Sequence, residues 1–142
     1  MKPSILILSD KNETRSPMLE GWIRYYTKEH AEVVSAGVDA GKLNLIAAKA
    51  MIEAVIDITK HQPLQLSNLD KKEYNFIITL THAARSEAEK HFPESRIIHK
   101  PVEHPLHEDD EDMEKLKKHR KTVNQLEEFA LEFVHNHIRK LI

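Results

Sequence analysis

The order of apolar and polar residues along this chain predicts strands and helices in alternation. A compact apolar run, Ser4–Ser9, is typical of a strand that is buried on both faces. Beyond residue 16 the pattern predicts one face of a helix, since apolar residues recur every three or four positions: Met18, Leu19, Trp22, Ile23 and Tyr26. We expect Ser16 to cap this helix and Pro17 to take its first position, where a missing N–H costs nothing.

The rest of the chain continues the alternation. Three further strands are predicted from apolar runs, at Glu32–Gly37, Asn75–Thr81 and Arg96–Val102. Three further helices are predicted from helix-forming residues or a helical apolar stripe, at residues 44–55, at residues 82–92 and from about Asp112 to Leu141. Asn44 is the expected N-cap of the first of these helices, and Pro101 suggests that pairing of the last strand stops there.

Strands that alternate with helices predict an α/β fold. Each strand must return by a helical crossover, so we expect a parallel sheet with helices on both faces. Ligands of such folds bind at the carboxyl ends of the strands. The loop after the first strand and the segment 100–107 after the last one leave this same edge, which makes it the predicted site.

Composition places the chain among soluble globular proteins of one domain. It has 142 residues, of which 40% are hydrophobic and 31% charged. No apolar run approaches the roughly 20 residues of a membrane span. The apolar stretch near the N-terminus is also too short for a signal peptide, so we expect a cytoplasmic location.

Charge and cysteine content narrow the function further. Lys and Arg number 21 against 23 Asp and Glu, which gives a formal charge of −2, so we expect no nucleic-acid partner. The sequence contains no cysteine, which excludes disulfides, thiolate metal ligands and a thiol nucleophile. We expect no cofactor and no membrane partner.

The segment between the first strand and the first helix has the chemistry of an anion site. N–H groups at a helix start carry partial positive charge, and an arginine adds a bidentate fork for a tetrahedral oxyanion. Arg15 and Ser16 are placed for these roles. We name residues 9–16 the anion loop and predict that they line the site: Ser9, Asp10, Lys11, Asn12, Glu13, Thr14, Arg15 and Ser16.

Several short motifs in and after the anion loop follow the order found in one enzyme superfamily. They are Arg15-Ser16, Met18, Glu20-Gly21-Trp22, Ser35-Ala36-Gly37 and Asn44. The pattern resembles the low-molecular-weight protein tyrosine phosphatases, and most closely their thioredoxin-coupled arsenate reductase branch. The resemblance covers roughly the whole chain, residues 1–142, and implies a three-layer flavodoxin-like fold with a four-stranded parallel sheet.

The departures from this family fall on its chemistry. Ser9 stands where the family has its nucleophilic cysteine, and Thr14 stands where the reductases have a second loop cysteine. Thr81 follows the third predicted strand, near the place where the reductases carry their redox cysteines. The family's general acid, an aspartate just before a proline, aligns with His104-Pro105, so His104 stands in place of the aspartate. The resemblance therefore implies a homologue without a redox relay.

Serine does not substitute for the cysteine by itself. A serine hydroxyl stays protonated unless a base is adjacent, and the motif supplies none for Ser9. We therefore expect no catalytic residue and treat Ser9, Arg15 and His104 as vestigial positions. Lys11 stands where the family has a glycine, so we expect strain and a reshaped loop if the backbone there requires positive φ.

The two acids of the anion loop leave two alternatives open. Arg15 could fold onto Glu13 or Asp10 and close the site, or both carboxylates could face water. In this family Asn12 is expected to brace the loop rather than react.

The segment after the last predicted strand is rich in histidine. His99, His104 and His107 lie among acids, and imidazoles with carboxylates can bind zinc or nickel. Their spacing matches no standard site, so we predict no metal and interpret the segment as a solvated acidic helix start.

Three functional hypotheses follow. The leading one is a cytoplasmic, catalytically inactive homologue that binds an oxyanion, a phosphorylated partner or another protein. The second is a hydrolase that uses metal-activated water and Arg15 as an anion clamp. The third is a dimerising scaffold without a small ligand.

Overall fold

Residues 2–70 and 73–142 are described by a computed structural model. The strands are β1 (Ser4–Ser9), β2 (Glu32–Gly37), β3 (Phe76–Thr79) and β4 (Arg96–His99). The helices are α1 (Arg15–Thr27), α2 (Leu45–Glu53), α3 (His82–His91) and α4 (Asp112–Phe133). The four strands form one parallel sheet in the order β2-β1-β3-β4. The predicted α/β fold with a four-stranded parallel sheet is thus confirmed.

Strand β1 lies inside the sheet, and all six of its residues are buried. Successive side chains of a strand point to opposite faces. Ile5 and Ile7 therefore pack into one hydrophobic cluster, and Leu6 and Leu8 pack into another. An uninterrupted apolar run is the sequence that such a strand requires.

The two clusters are covered by different helices. On the face of Ile5, α1, α2 and α4 pack together, and the Trp22 indole N–H donates to the Val123 carbonyl at 3.1 Å. On the face of Leu6, α3 and the segment 64–69 cover the sheet. Because helices cover both faces of the sheet, the carboxyl ends of the strands are left as the place for a site.

Several predicted boundaries are wrong; α2, for example, ends at Glu53 rather than at residue 55. Helix α1 begins at Arg15 with Thr14 at the N-cap, and Ser16 does not cap it because its hydroxyl bonds within the anion loop. Strand β4 ends at His99, although the N–H of Val102, beyond Pro101, still donates to the Leu80 carbonyl at 3.2 Å. Strand β3 is likewise shorter than predicted.

The end of the tail helix also differs from the prediction. Helix α4 stops at Phe133, and a π-helical turn (Val134–Ile138) and a 3₁₀ turn (Arg139–Leu141) follow. A π turn holds more residues than an α turn, so the faces of later residues shift. Leu141 is consequently 51% exposed, whereas the apolar stripe predicted it in the core. No helix within the described residues is long and apolar enough to cross a membrane.

Core packing of α4 yields the first testable prediction. Leu126 is fully buried, so Leu126→Ala should lower the free energy of unfolding by about 2–5 kcal/mol through lost burial and a cavity. Leu131→Ala is the matched control, because Leu131 lies on the same helix with 43% exposure and should change stability by about 0.5 kcal/mol or less. Urea denaturation measures both, and equal losses would contradict the described orientation of α4.

Candidate functional site

The anion loop runs from the end of β1 into the first turn of α1 and lines a small cleft. The cleft has a volume of about 110 Å³, which exceeds the ≈ 30 Å³ share of a water molecule. Its lining consists of Ser9, Asp10, Lys11, Asn12, Glu13, Thr14, Arg15 and His104. Seven of the eight predicted loop residues thus surround one cleft, and the segment after β4 adds His104. Ser16 is buried and hydrogen-bonded within the loop.

The loop carbonyls point away from this cleft. Those of Ser9, Asp10, Lys11 and Glu13 accept N–H bonds at 2.8–3.0 Å from the segment 38–44. The N–H groups of Lys11, Glu13, Thr14 and Arg15 donate to no other described residue. The carbonyls are thus bonded to the segment 38–44, and the amide N–H groups beside them are left for the cleft. This is the backbone arrangement of an anion cradle.

Asn12 holds the loop in this shape. Its side-chain oxygen accepts from the His61 Nε2–H at 3.0 Å and from the Leu64 N–H at 2.9 Å. Its amide group donates to the Ser16 and Ser35 hydroxyls at 2.8 and 2.9 Å. The side chain is fully buried, and all of its hydrogen-bonding groups have partners.

The condition for strain at Lys11, a positive φ, is not met. The loop residue in the left-handed region is Asn12, with φ 57°. Asparagine tolerates this conformation better than most residues, so the turn needs no glycine at position 11. The Lys11 ammonium lies 3.1 Å from Asp39 Oδ2, and this ion pair raises the pKa of Lys11.

Gly37 permits the loop to approach the end of β2. A Cβ atom at this position would lie 2.8 Å from the Lys11 carbonyl carbon and 2.9 Å from the Asn12 nitrogen. The Ser35-Ala36-Gly37 motif therefore supplies a hydroxyl for Asn12 and, two residues later, room for the loop backbone.

Ser9 occupies the position at the base of the cleft. Its Oγ lies 2.6 Å from Ser16 Oγ and accepts from the Asn12 N–H at 3.2 Å. No imidazole or carboxylate among the described residues bonds to this hydroxyl. Without a base to take its proton, Ser9 is a neutral hydrogen-bonding group and a weak nucleophile.

Arg15 is buried beside the cleft and does not close it. Its Nη1 donates to the Val102 carbonyl at 2.6 Å, and burial lowers its pKa against the raising influence of Asp10. Guanidinium groups nonetheless stay charged in proteins. Because Arg15 forms no ion pair with Asp10 or Glu13 among the described residues, the closed alternative is wrong.

The two loop acids do not simply face water either. Asp10 Oδ1 accepts from the Thr81 hydroxyl at 2.7 Å, and Glu13 Oε2 accepts from the Lys42 N–H at 3.0 Å. Both carboxylates are thereby held by neighbouring segments rather than by Arg15. Thr81 thereby orients Asp10.

His104 reaches the cleft from the segment after β4. The Leu106 N–H donates to its Nδ1 at 3.0 Å, so its proton lies on Nε2. Burial, followed by the charge of Arg15, lowers the pKa of His104. The ring is therefore neutral near pH 7 and acts as a hydrogen-bond donor rather than as an imidazolium acid.

A buried histidine connects α4 to the loop. His119 Nδ1–H donates to the Lys115 carbonyl at 2.7 Å, so its Nε2 accepts from the Asn44 amide at 2.9 Å. The same amide donates to Thr14 Oγ1 at 3.0 Å, while Asn44 Oδ1 caps α2 through the Ile46 N–H. Asn44 is thus the predicted N-cap and also a support of the loop.

The histidine segment does not converge on a metal ligand set. His99 Nδ1 lies 2.8 Å from Thr79 Oγ1, His104 faces the loop cleft, and His107 is exposed. Within residues 2–70 and 73–142, no group of three or more His, Asp or Glu side chains is placed to hold a metal ion.

Three supporting groups were missed by the sequence reasoning. His61 and His119 bind the loop through Asn12 and Asn44, and the Val102 carbonyl binds Arg15. Each lies more than 40 residues from its partner or contributes only backbone, so no spacing signal could reveal it.

The chain belongs to the low molecular weight phosphotyrosine protein phosphatase family, whose sequence model matches residues 4–140. An arsenate reductase of Oceanobacillus iheyensis is 35% identical over 104 residues, which cover 73% of this chain and 75% of that protein. An arsenate reductase of Staphylococcus aureus strain Newman is 34% identical over 79 residues, and this match covers 56% of the chain and 60% of that protein.

Solved structures of the family share the fold. The low molecular weight protein tyrosine phosphatase of T. tengcongensis has a TM-score of 0.79 at 22% identity, over 94% of this chain and 99% of that one. A Cys-to-Ser variant of the YwlE arginine phosphatase with a phosphorylated active-site serine has a TM-score of 0.70 at 21% identity, over 98% and 99% of the two chains.

Close packing at Gly37 predicts a sensitive position. Gly37→Ala should lower the free energy of unfolding by about 1–3 kcal/mol, because its Cβ would collide with backbone atoms, and should shift the amide NMR signals of residues 10–14. Asp39→Asn is the control: it removes only an exposed ion pair and should change stability by about 1 kcal/mol or less. An unperturbed loop in Gly37→Ala would contradict the described approach.

Burial of His119 predicts a pH dependence. Burial lowers the pKa of folded His119, so the unfolded chain binds more protons than the folded protein between that pKa and the ordinary value of about 6.5. Its contribution to stability is complete above pH of about 6.5 and is lost as the pH falls through the folded pKa.

The measurement is urea denaturation of wild type and His119→Gln at several pH values. The variant should lose less stability than wild type on acidification, whatever its stability at neutral pH. His107→Gln, which changes an exposed ring, serves as control. Parallel curves for wild type and His119→Gln would refute the assignment.

Proposed function

We propose that this protein binds a phosphate-like oxyanion or a phosphorylated ligand in the anion loop without catalysing its hydrolysis or reduction. One observation carries the proposal. Four loop carbonyls bond outward while the amides beside them and the buried Arg15 surround the same cleft. Such an arrangement favours a tetrahedral anion with several acceptor oxygens.

The groups that the chemistry would need are replaced. The sequence has no cysteine, so neither a thiolate attack nor a thiol relay is available. Among the described residues, the partners of the Ser9 hydroxyl are the Ser16 hydroxyl and the Asn12 N–H, and neither is a base. His104 is a neutral donor near pH 7, which makes it a poorer proton source than a carboxylic acid matched to the leaving group.

The charges around the cleft favour weak, reversible binding. Within the described parts of the chain Arg15 has no carboxylate partner, whereas Lys11 is paired with Asp39, and Asp10 and Glu13 add negative charge nearby. A neutral Ser9 does not repel an anion as a thiolate would, but the two loop acids oppose anion binding. We therefore expect millimolar rather than micromolar affinity for inorganic phosphate, with tighter binding of a larger ligand.

A second candidate function is that of a phosphoryl acceptor. It is favoured by the YwlE variant, in which a serine at the active site carries a phosphoryl group. In this chain the same chemistry would break the donor's phosphorus–leaving-group bond, join phosphorus to Ser9 Oγ and release the hydroxyl proton to solvent. We expect transfer to stop at phosphoserine, because among the described residues of the cleft Asp10 and Glu13 already accept from the Thr81 hydroxyl and the Lys42 N–H, and His104 Nδ1 accepts from the Leu106 N–H.

The remaining hypotheses receive less support. Metal-activated water has no ligand set among the described residues. Failure of an anion titration would favour a scaffold without a small ligand, or a protein that binds a protein partner. We also propose a cytoplasmic location for this protein.

The test is a titration with phosphate, sulfate and arsenate followed by the amide NMR signals of residues 10–16. Wild type should show saturating shifts confined to the loop, and Ser9→Ala should retain them because the amides and Arg15 remain. Arg15→Lys should weaken binding, because a single ammonium replaces the planar fork. Arg139→Lys, the same change at an exposed terminal turn, is the control.

Two results would contradict the proposal. Absence of shifts up to tens of millimolar anion would mean that the loop binds no free oxyanion. Hydrolysis of para-nitrophenyl phosphate that disappears in Ser9→Ala would establish an active enzyme. A gain of one phosphoryl mass on Ser9 without turnover would favour the second candidate instead.

A further inference from the structure

A second, larger cavity lies beside the anion loop. It has a volume of about 450 Å³ and is formed between the segment after β4 and one face of α4. We name it the side groove; its lining includes His104, His107, Lys118, Lys121, Thr122 and Gln125. His104 lines both the loop cleft and the side groove, so the two cavities are adjacent at this residue.

The α4 wall of the groove presents two unused donors. Lys121 and Gln125 are four residues apart on one helix, so their side chains are neighbours on the same face. Neither side chain forms a hydrogen bond or an ion pair with another described residue, and both side chains are exposed. An ammonium beside a carboxamide can bind the oxygens of one carboxylate or phosphate.

Other charges in the groove are already engaged or lie on the opposite wall. The Lys118 ammonium lies 2.6 Å from Asp110 Oδ2. Glu103, on the segment after β4, is the acid that lines the groove. Because Lys118 already has a carboxylate partner, Lys121 is the cation available to a ligand.

The lining also excludes one class of ligand. Among the described residues around the loop cleft and the side groove there is no phenylalanine, tyrosine or tryptophan. Flat aryl groups are usually bound between apolar and aromatic side chains. A polar, charged extension fits this wall better than an aromatic ring does.

We infer that the ligand of this protein carries two negatively charged groups, one held by the anion loop and the other by Lys121 and Gln125 in the side groove. The inference rests on the proposed function, since it needs an anion in the loop. It predicts a small polar phosphorylated compound or phosphopeptide with a second carboxylate or phosphate, rather than an aryl phosphate.

The experiment compares alkyl bisphosphonates of increasing chain length with alkyl monophosphonates of the same length, using inorganic phosphate as reference. Each matched pair differs only in the second charge. At one chain length the bisphosphonate should bind about three- to fivefold more tightly than its partner, the gain of one exposed ion pair. The gain should shrink at high ionic strength.

Variants assign this gain to the groove. Lys121→Gln and Gln125→Ala should reduce it while leaving phosphate binding unchanged, because both residues are absent from the loop cleft. Lys90→Gln, the same change at an exposed lysine of α3 on the other face of the sheet, should leave the gain intact.

The outcomes separate the two proposals. If phosphate binds in the loop but no bisphosphonate gains affinity, or the gain survives Lys121→Gln, the inference is overturned and the proposed function stands. If the bisphosphonate binds equally well in Arg15→Lys, the groove acts alone and the inference is also overturned. If neither phosphate nor any phosphonate shifts the loop amides, both proposals fail.

Discussion

The curled backbone of the anion loop is the constraint on which the site depends. Asn12 adopts a left-handed conformation, and its buried side chain bonds in four directions, to the segment 61–64, to Ser35 and to Ser16. Leaving any of these buried groups unpaired would cost about 1–3 kcal/mol. The neighbouring strand end must therefore supply both a hydroxyl and, at Gly37, an empty space.

Binding and catalysis require different parts of this arrangement. The proposed anion binding would depend on the carbonyls bonded outward, the amides beside them and Arg15, which are properties of the backbone and of one buried cation. Catalysis would also need a nucleophile and a proton donor, and here Ser9 and a neutral His104 occupy those positions. Because Ser9 Oγ accepts the Asn12 N–H, a serine can preserve the loop while lacking the reactivity of a thiolate.

Sequence patterns predicted the elements well where local periodicity dominates. Strands β1 and β2 have the predicted bounds, and Asn44 caps α2 as expected, because apolar alternation and capping are local properties. The errors lie where tertiary contacts override them. Ser16 bonds to Ser9 and Asn12 instead of capping α1, and a π turn places Leu141 outside the core.

The sequence by itself determined the family, the α/β fold and the absence of a thiol, because these are carried by motifs and by composition. It also predicted the loop that lines the cleft. Only the tertiary structure decided how the charged side chains are partnered. Arg15 binds the Val102 carbonyl, Asp10 binds Thr81 and His119 supports Asn44, all across long sequence separations. For each of these side chains the sequence contains several possible partners of suitable chemistry. The packing of the surrounding chain brings one of them into contact.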